Sequence, residues 1–286
     1  MASALSGLSR FAFGYVLGHF GALLKVSAVP FAIIAGLAVA YTQFTMNRVF
    51  DTIAQGGDPE NVSYEWIDLI YTVVLLYFWM WLIAKVIRLV LSGETPGLIG
   101  SGGTLRAAAW FLLYYLGTLL ILVVPAALIV VGLLTLLIEA GAGDGAALLA
   151  SLAVFVVVVL IGWGMGRFFV GFQPVALGER PGFFSGWRLT RGVSWGLYLR
   201  VIAVLVAVAV VLTVAGYVLA DALLSTMGTD GVDVPAEATP ENTQDVRVLI
   251  QYLMAFQIGA TVVLLPVYWF ILVMFAESYR RLSEAG

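Results

Sequence analysis

Charge and aromaticity meet at residues 185–200, SGWRLTRGVSWGLYLR. Three arginines (Arg188, Arg191, Arg200) and two tryptophans (Trp187, Trp195) stand there between long runs of Val, Leu, Ile and Ala. Guanidinium groups hold phosphate and carboxylate through paired, charge-assisted hydrogen bonds. Tryptophan favours the boundary between water and hydrocarbon. Together with Arg180, Arg106, Trp110 and Lys25, these residues form the candidate site, a basic and aromatic surface for an anionic lipid headgroup or an acidic segment of a partner. The competing reading is anchoring alone, with Glu94/Arg106 and Glu179/Arg191 as ion pairs.

Other chemistry is poorly supplied. There are no cysteines, which removes disulfides, thiolate metal sites and cysteine nucleophiles, and the sole histidine, His19, cannot build a multi-histidine metal site. No G-x-S-x-G elbow, H-E-x-x-H, P-loop or dinucleotide-binding glycine motif occurs. The acidic stretch 226–246 lacks the spacing of a calcium-binding EF-hand loop. No catalytic residue, metal, cofactor or nucleic-acid partner is therefore expected.

The elements that position these residues follow from composition. Of 286 residues 62% are hydrophobic and 11% charged, with a mean hydropathy of +1.04. A soluble domain carries charges at about a quarter of its positions, so this chain must use lipid as its solvent. Apolar runs of about 20 residues suffice to cross a bilayer as helices. Six such spans are expected, at roughly 20–44, 65–88, 108–138, 146–170, 197–220 and 248–275.

Twelve of the fourteen basic residues fall on one alternate set of flanks and thirteen of the seventeen acids on the other. The positive-inside rule then puts both termini in the cytoplasm. The first span is too long, and carries Lys25 too early, for a cleaved signal peptide. No ionisable residue falls near the middle of any span, which argues against an ion-coupled transporter. Pro30, Pro125 and Pro266 are candidate helix breaks, and Gly162 with Gly166 a close-packing pair.

The chain also repeats itself. GETPG at 93–97 recurs as GERPG at 178–182, and at the same offset Arg106 meets Arg191, Trp110 meets Trp195 and Leu112 meets Leu197. FGALLKV at 20–26 matches WGLYLRV at 195–201 in part. The unit is a short interfacial lead-in followed by a helical hairpin, used three times over residues 1–92, 93–177 and 178–286. Pro-Gly suits a type II turn, with Gly97 and Gly182 taking positive φ. A helix over 183–191 would place Phe183, Phe184 and Trp187 on one face toward acyl chains, with Gly192 ending it.

At residues 176–200 the chain resembles a bacterial group of membrane proteins, the YciC-like proteins and the membrane domain that accompanies some glycerophosphodiester phosphodiesterases. The matching positions are Gly186, Trp187, Leu189, Thr190, Arg191, Gly192 and Trp195, with Gly186 where serine is commoner; Tyr279-Arg280-Arg281 resembles the group's basic tail. The resemblance implies a bacterial inner-membrane location and a link to envelope or lipid homeostasis. The fold expected is one all-α transmembrane domain over 1–286, six helices arranged as three hairpin repeats with short cytoplasmic interfacial helices. The function expected is a non-enzymatic component that binds, senses or moves lipid or a poorly charged substrate, with membrane lipids as partners. A structural subunit docking with other membrane proteins is the alternative.

Overall fold

Long runs of Leu, Ala, Val and Ile in a lipid solvent must satisfy their backbone amides within the segment, and the helix is the local way to do so. The computed structural model describes residues 7–54, 65–95, 97, 102–139, 143–191, 195–204, 206 and 243–285, and no strand occurs among them. The helices are α1 (Leu8–Gly18), α2 (Phe20–Ala54), α3 (Glu65–Ser92), α4 (Gly102–Glu139), α5 (Gly143–Phe172), the short α6 (Ser185–Leu189), α7 (Trp195–Val204) and α8 (Thr243–Glu284). A 3-10 turn, Gln173–Leu177, follows α5.

Phe20–Thr52, Trp66–Ser92 and Gly102–Gly132 are long and apolar enough to cross a membrane. The outer part of α4 presents Leu120, Leu128 and Ile129, each more than 60% exposed, an apolar surface suited to lipid. Helices α5 and α8 enclose the expected spans 146–170 and 248–275, whereas most of 197–220 and of the acidic stretch 226–246 lies outside the described residues. Pro30, Pro125 and Pro266 lie inside α2, α4 and α8, which continue through them, so the expected breaks do not occur.

The chain divides into two compact units. The first comprises Met1–Val29, Met80–Val201 and Trp269–Gly286; the second comprises Pro30–Trp79 and Ile202–Tyr268. Twelve of the fourteen basic residues and six of the seventeen acids belong to the first. Its core includes Leu8, Leu23, Val26, Ile87, Phe111, Phe168 and Met274. Within it the buried Trp269 indole donates to Ser27 Oγ at 2.9 Å, tying the first turns of α2 to α8. Glu277, almost fully buried, holds Arg280 at 2.6 Å and Arg281 at 2.7 Å. In the second unit Tyr41 stacks on Tyr71 at 3.8 Å and donates to Asp68, and Trp79 packs against Tyr268.

The repeated glycine motif works differently from the expected type II turn. The positive-φ residues of the motif are Gly93 (φ 70°) and Gly178 (φ 90°), the first glycine of each copy, and not Gly182; the Pro96-Gly97 turn lies in part outside the described residues, which do not include Pro96. Each stops a helix, since only glycine enters the left-handed region without steric cost. Gly93 N–H donates to Leu89 C=O at 3.0 Å. Gly178 N–H donates to Val175 C=O and Glu179 N–H to Pro174 C=O, the paired bonds of a Schellman stop. Gly178→Ala is therefore expected to cost about 1–2 kcal/mol, read as a lowered melting temperature of the purified protein. Gly182→Ala, at negative φ with open space around it, should leave melting unchanged; equal effects of the two would contradict this assignment.

Candidate functional site

Two glycines let α6 lie directly on α5. A Cβ on Gly186 would run into the backbone of Arg167 and Gly171, and one on Gly171 into the backbone of Gly186. Gly186 is thus required by this close approach. Thr190 ends α6 with its side chain buried: its hydroxyl donates to Gly186 C=O at 2.7 Å and accepts from Arg167 Nε at 2.9 Å. Arg167 Nη2 donates to Trp187 C=O at 2.8 Å.

Arg167 is only 7% exposed. Its guanidinium lies over the Trp187 ring at 3.9 Å and over Trp163 at 4.9 Å, so indole faces take the place of a carboxylate. Trp163 in turn stacks on Trp195 and meets Trp187 edge-on, both at 5.3 Å between centroids. These groups line a cleft of about 590 Å³ together with Arg188, Arg191 and Gly196. Among the described residues no carboxylate lies within ion-pair distance of Arg167, Arg188 or Arg191.

Four of the residues expected from sequence come together here: Trp187, Arg188, Arg191 and Trp195. Arg180 and Trp110 do not line the cleft and pair with each other, the guanidinium 4.8 Å from the ring. That contact sits beside a hydrogen bond from Tyr114 Oη to Pro181 C=O at 2.8 Å. Lys25 and Arg106 are exposed and Arg200 half-buried, all three outside the cleft lining. Sequence reasoning missed Trp163 and Arg167. Their spacing of four, which puts both side chains on one helix face, was the available signal.

Three local expectations are corrected. Glu94 pairs with Arg88 at 3.1 Å rather than with Arg106, because the left-handed Gly93 folds it back over the last turn of α3. Glu179 makes no ion pair with Arg191. The helix covers only Ser185–Leu189, and Phe183, in the turn before it, packs inward against Phe168, Phe172 and Tyr114. Phe184 and Trp187 remain exposed, while Gly192 lies outside the described residues. The glycine pair behaves as packing: Gly162 lies against Tyr198, whose hydroxyl donates to Val159 C=O at 3.0 Å.

All-helical among its described residues, with three helices long and apolar enough to cross a bilayer, the chain has the features of a helical membrane protein. No family model, curated protein or solved structure matches it.

Arg167 is a positioning residue for α6 in this arrangement. Losing a hydrogen bond to a charged group costs about 1.5–3 kcal/mol, so Arg167→Gln should raise the open population of α6 at least about tenfold. The readout is limited trypsin digestion after Arg188 and Arg191, with Thr190→Val producing a smaller rise in the same direction. Cleavage as slow as in the unsubstituted protein would show that α6 is held by other contacts.

Proposed function

We propose that this chain is a non-enzymatic integral membrane protein that binds the headgroup of an anionic lipid in the cleft lined by Trp163, Arg167, Trp187, Arg188, Arg191 and Trp195. One observation carries the reading: three guanidiniums line one cleft without a carboxylate to balance them among the described residues. A buried cation without a counter-charge costs several kcal/mol, and a phosphate entering the cleft offsets that cost. The indole rings supply a floor for the glycerol and upper acyl carbons, the environment tryptophan favours at a membrane surface.

The proposed frame is six spans in a bacterial inner membrane, set as three hairpin repeats with both termini cytoplasmic. Its support is threefold: the three long apolar helices, the alternation of basic and acidic flanks, and the matching left-handed stops at Gly93 and Gly178. In that frame the cleft opens at the cytoplasmic leaflet, where anionic lipid attracts basic side chains by about 1 kcal/mol each.

The double substitution Arg188→Gln, Arg191→Gln tests the reading. Two such contributions amount to roughly a thirtyfold loss of affinity, so phosphatidylglycerol carried through native mass spectrometry should fall to near the level of phosphatidylcholine. Unchanged retention of phosphatidylglycerol would sink the proposal.

A further inference from the structure

A second opening, of about 450 Å³, shares Arg188 with the first. Its remaining polar lining has a different character. Glu179 contributes a carboxylate, Tyr279 a phenol, and Ser185 and Ser283 hydroxyls, beside an apolar wall that includes Leu189 and Leu282. Glu179 forms no ion pair among the described residues, so it and Arg188 line one space without closing on each other. The Ser185 hydroxyl donates to Gly171 C=O at 3.2 Å and that of Ser283 to Arg280 C=O at 2.8 Å. Each has its proton committed, and its oxygen remains an acceptor. Burial pushes the Tyr279 phenol up, and the nearby Glu179 carboxylate adds to that.

The charges restrict the ligand. A simple anion would share the space with Glu179, and a simple cation with Arg188, and like charges repel. A quaternary ammonium has no N–H for the acceptors and favours a cage of aromatic rings, whereas among the described residues Tyr279 is the one aromatic in this lining. We infer that the second opening binds a zwitterion carrying a primary ammonium and a phosphate, the ammonium on Glu179 and the serine oxygens, the phosphate on Arg188. An aminophospholipid headgroup and a soluble amino-phosphate share this chemistry, and the wall of Leu189 and Leu282 suits the lipid. The inference rests on the membrane reading and shares Arg188 with the anion-binding cleft, whereas Arg191 lines only that cleft and Glu179 only this opening.

The test uses the full chain in nanodiscs of equimolar phosphatidylethanolamine, phosphatidylcholine and phosphatidylglycerol, read by native mass spectrometry. Phosphatidylethanolamine should be retained over phosphatidylcholine. Glu179→Gln removes a charge-assisted hydrogen bond and should lower phosphatidylethanolamine retention roughly tenfold while leaving phosphatidylglycerol unchanged. Arg191→Gln, which alters only the first cleft, should do the reverse, so failure of one site is visible apart from failure of the other. Added O-phosphoethanolamine identifies the source: displacement of the lipid supports a soluble amino-phosphate, and persistence of the lipid supports the lipid itself. Equal retention of the two zwitterionic lipids would overturn the inference. So would phosphatidylethanolamine retention insensitive to Glu179→Gln, or loss of both lipids together in that variant.

Discussion

The guanidinium of Arg167, held between the faces of Trp163 and Trp187 and bonded to Thr190 Oγ1 and the Trp187 carbonyl, is what ties α6 to α5. The contact is possible because Gly171 and Gly186 bring the two backbones together without an intervening Cβ. A cation this deeply buried ordinarily needs a carboxylate. Here two hydrogen bonds and two indole faces satisfy its geometry, the latter contributing about 2 kcal/mol when desolvated, yet they leave its charge unneutralised. The same interaction that fixes the short helix therefore leaves positive potential in the cleft beside it. Arg188 and Arg191, brought to the rim by α6 and its C-terminal turn, add to that potential.

The wider architecture serves this arrangement. The first compact unit gathers twelve of the fourteen basic residues and only six acids. One of those acids, Glu277, is already engaged by Arg280 and Arg281 inside the unit, and another, Glu94, by Arg88. Few acids remain to quench the arginines around α6. Helix stops at Gly93 and Gly178 return the chain at comparable points after α3 and α5, so that the segments bearing Arg106 and Arg191 follow each stop at the same distance in sequence.

Much of the coarse design was legible in the residues. Long apolar runs specify helices because lipid leaves the backbone no other partner, and three of the expected spans coincide with helices long and apolar enough to cross a membrane. Trp187, Arg188, Arg191 and Trp195 were recognisable as a group because they stand close together in sequence against an apolar background. Arg167 and Trp163 were hidden: placed near the end of a span, the arginine read as one more positive-inside charge, and its burial depends on a helix that returns some twenty residues later. The conformation of the second copy, at Pro181-Gly182, was misread for a related reason. Pro-Gly favours a turn locally, but the helix preceding each copy needed a stop, and the first glycine was in the place to supply it. Ion-pair partners were the least legible, since Glu94 needed only the left-handed Gly93 to face Arg88 instead of Arg106.

The most direct measurement is an electron cryomicroscopy reconstruction of the full chain in phosphatidylglycerol nanodiscs, aligned with a bound antibody fragment. The account predicts headgroup density on the Trp163, Trp187 and Trp195 rings, with its phosphate bonded by Arg188 and Arg191 and Arg167 still stacked beneath. A cleft closed by a carboxylate of the chain itself, or an Arg167 side chain turned out to solvent with the lipid bound elsewhere, would contradict it.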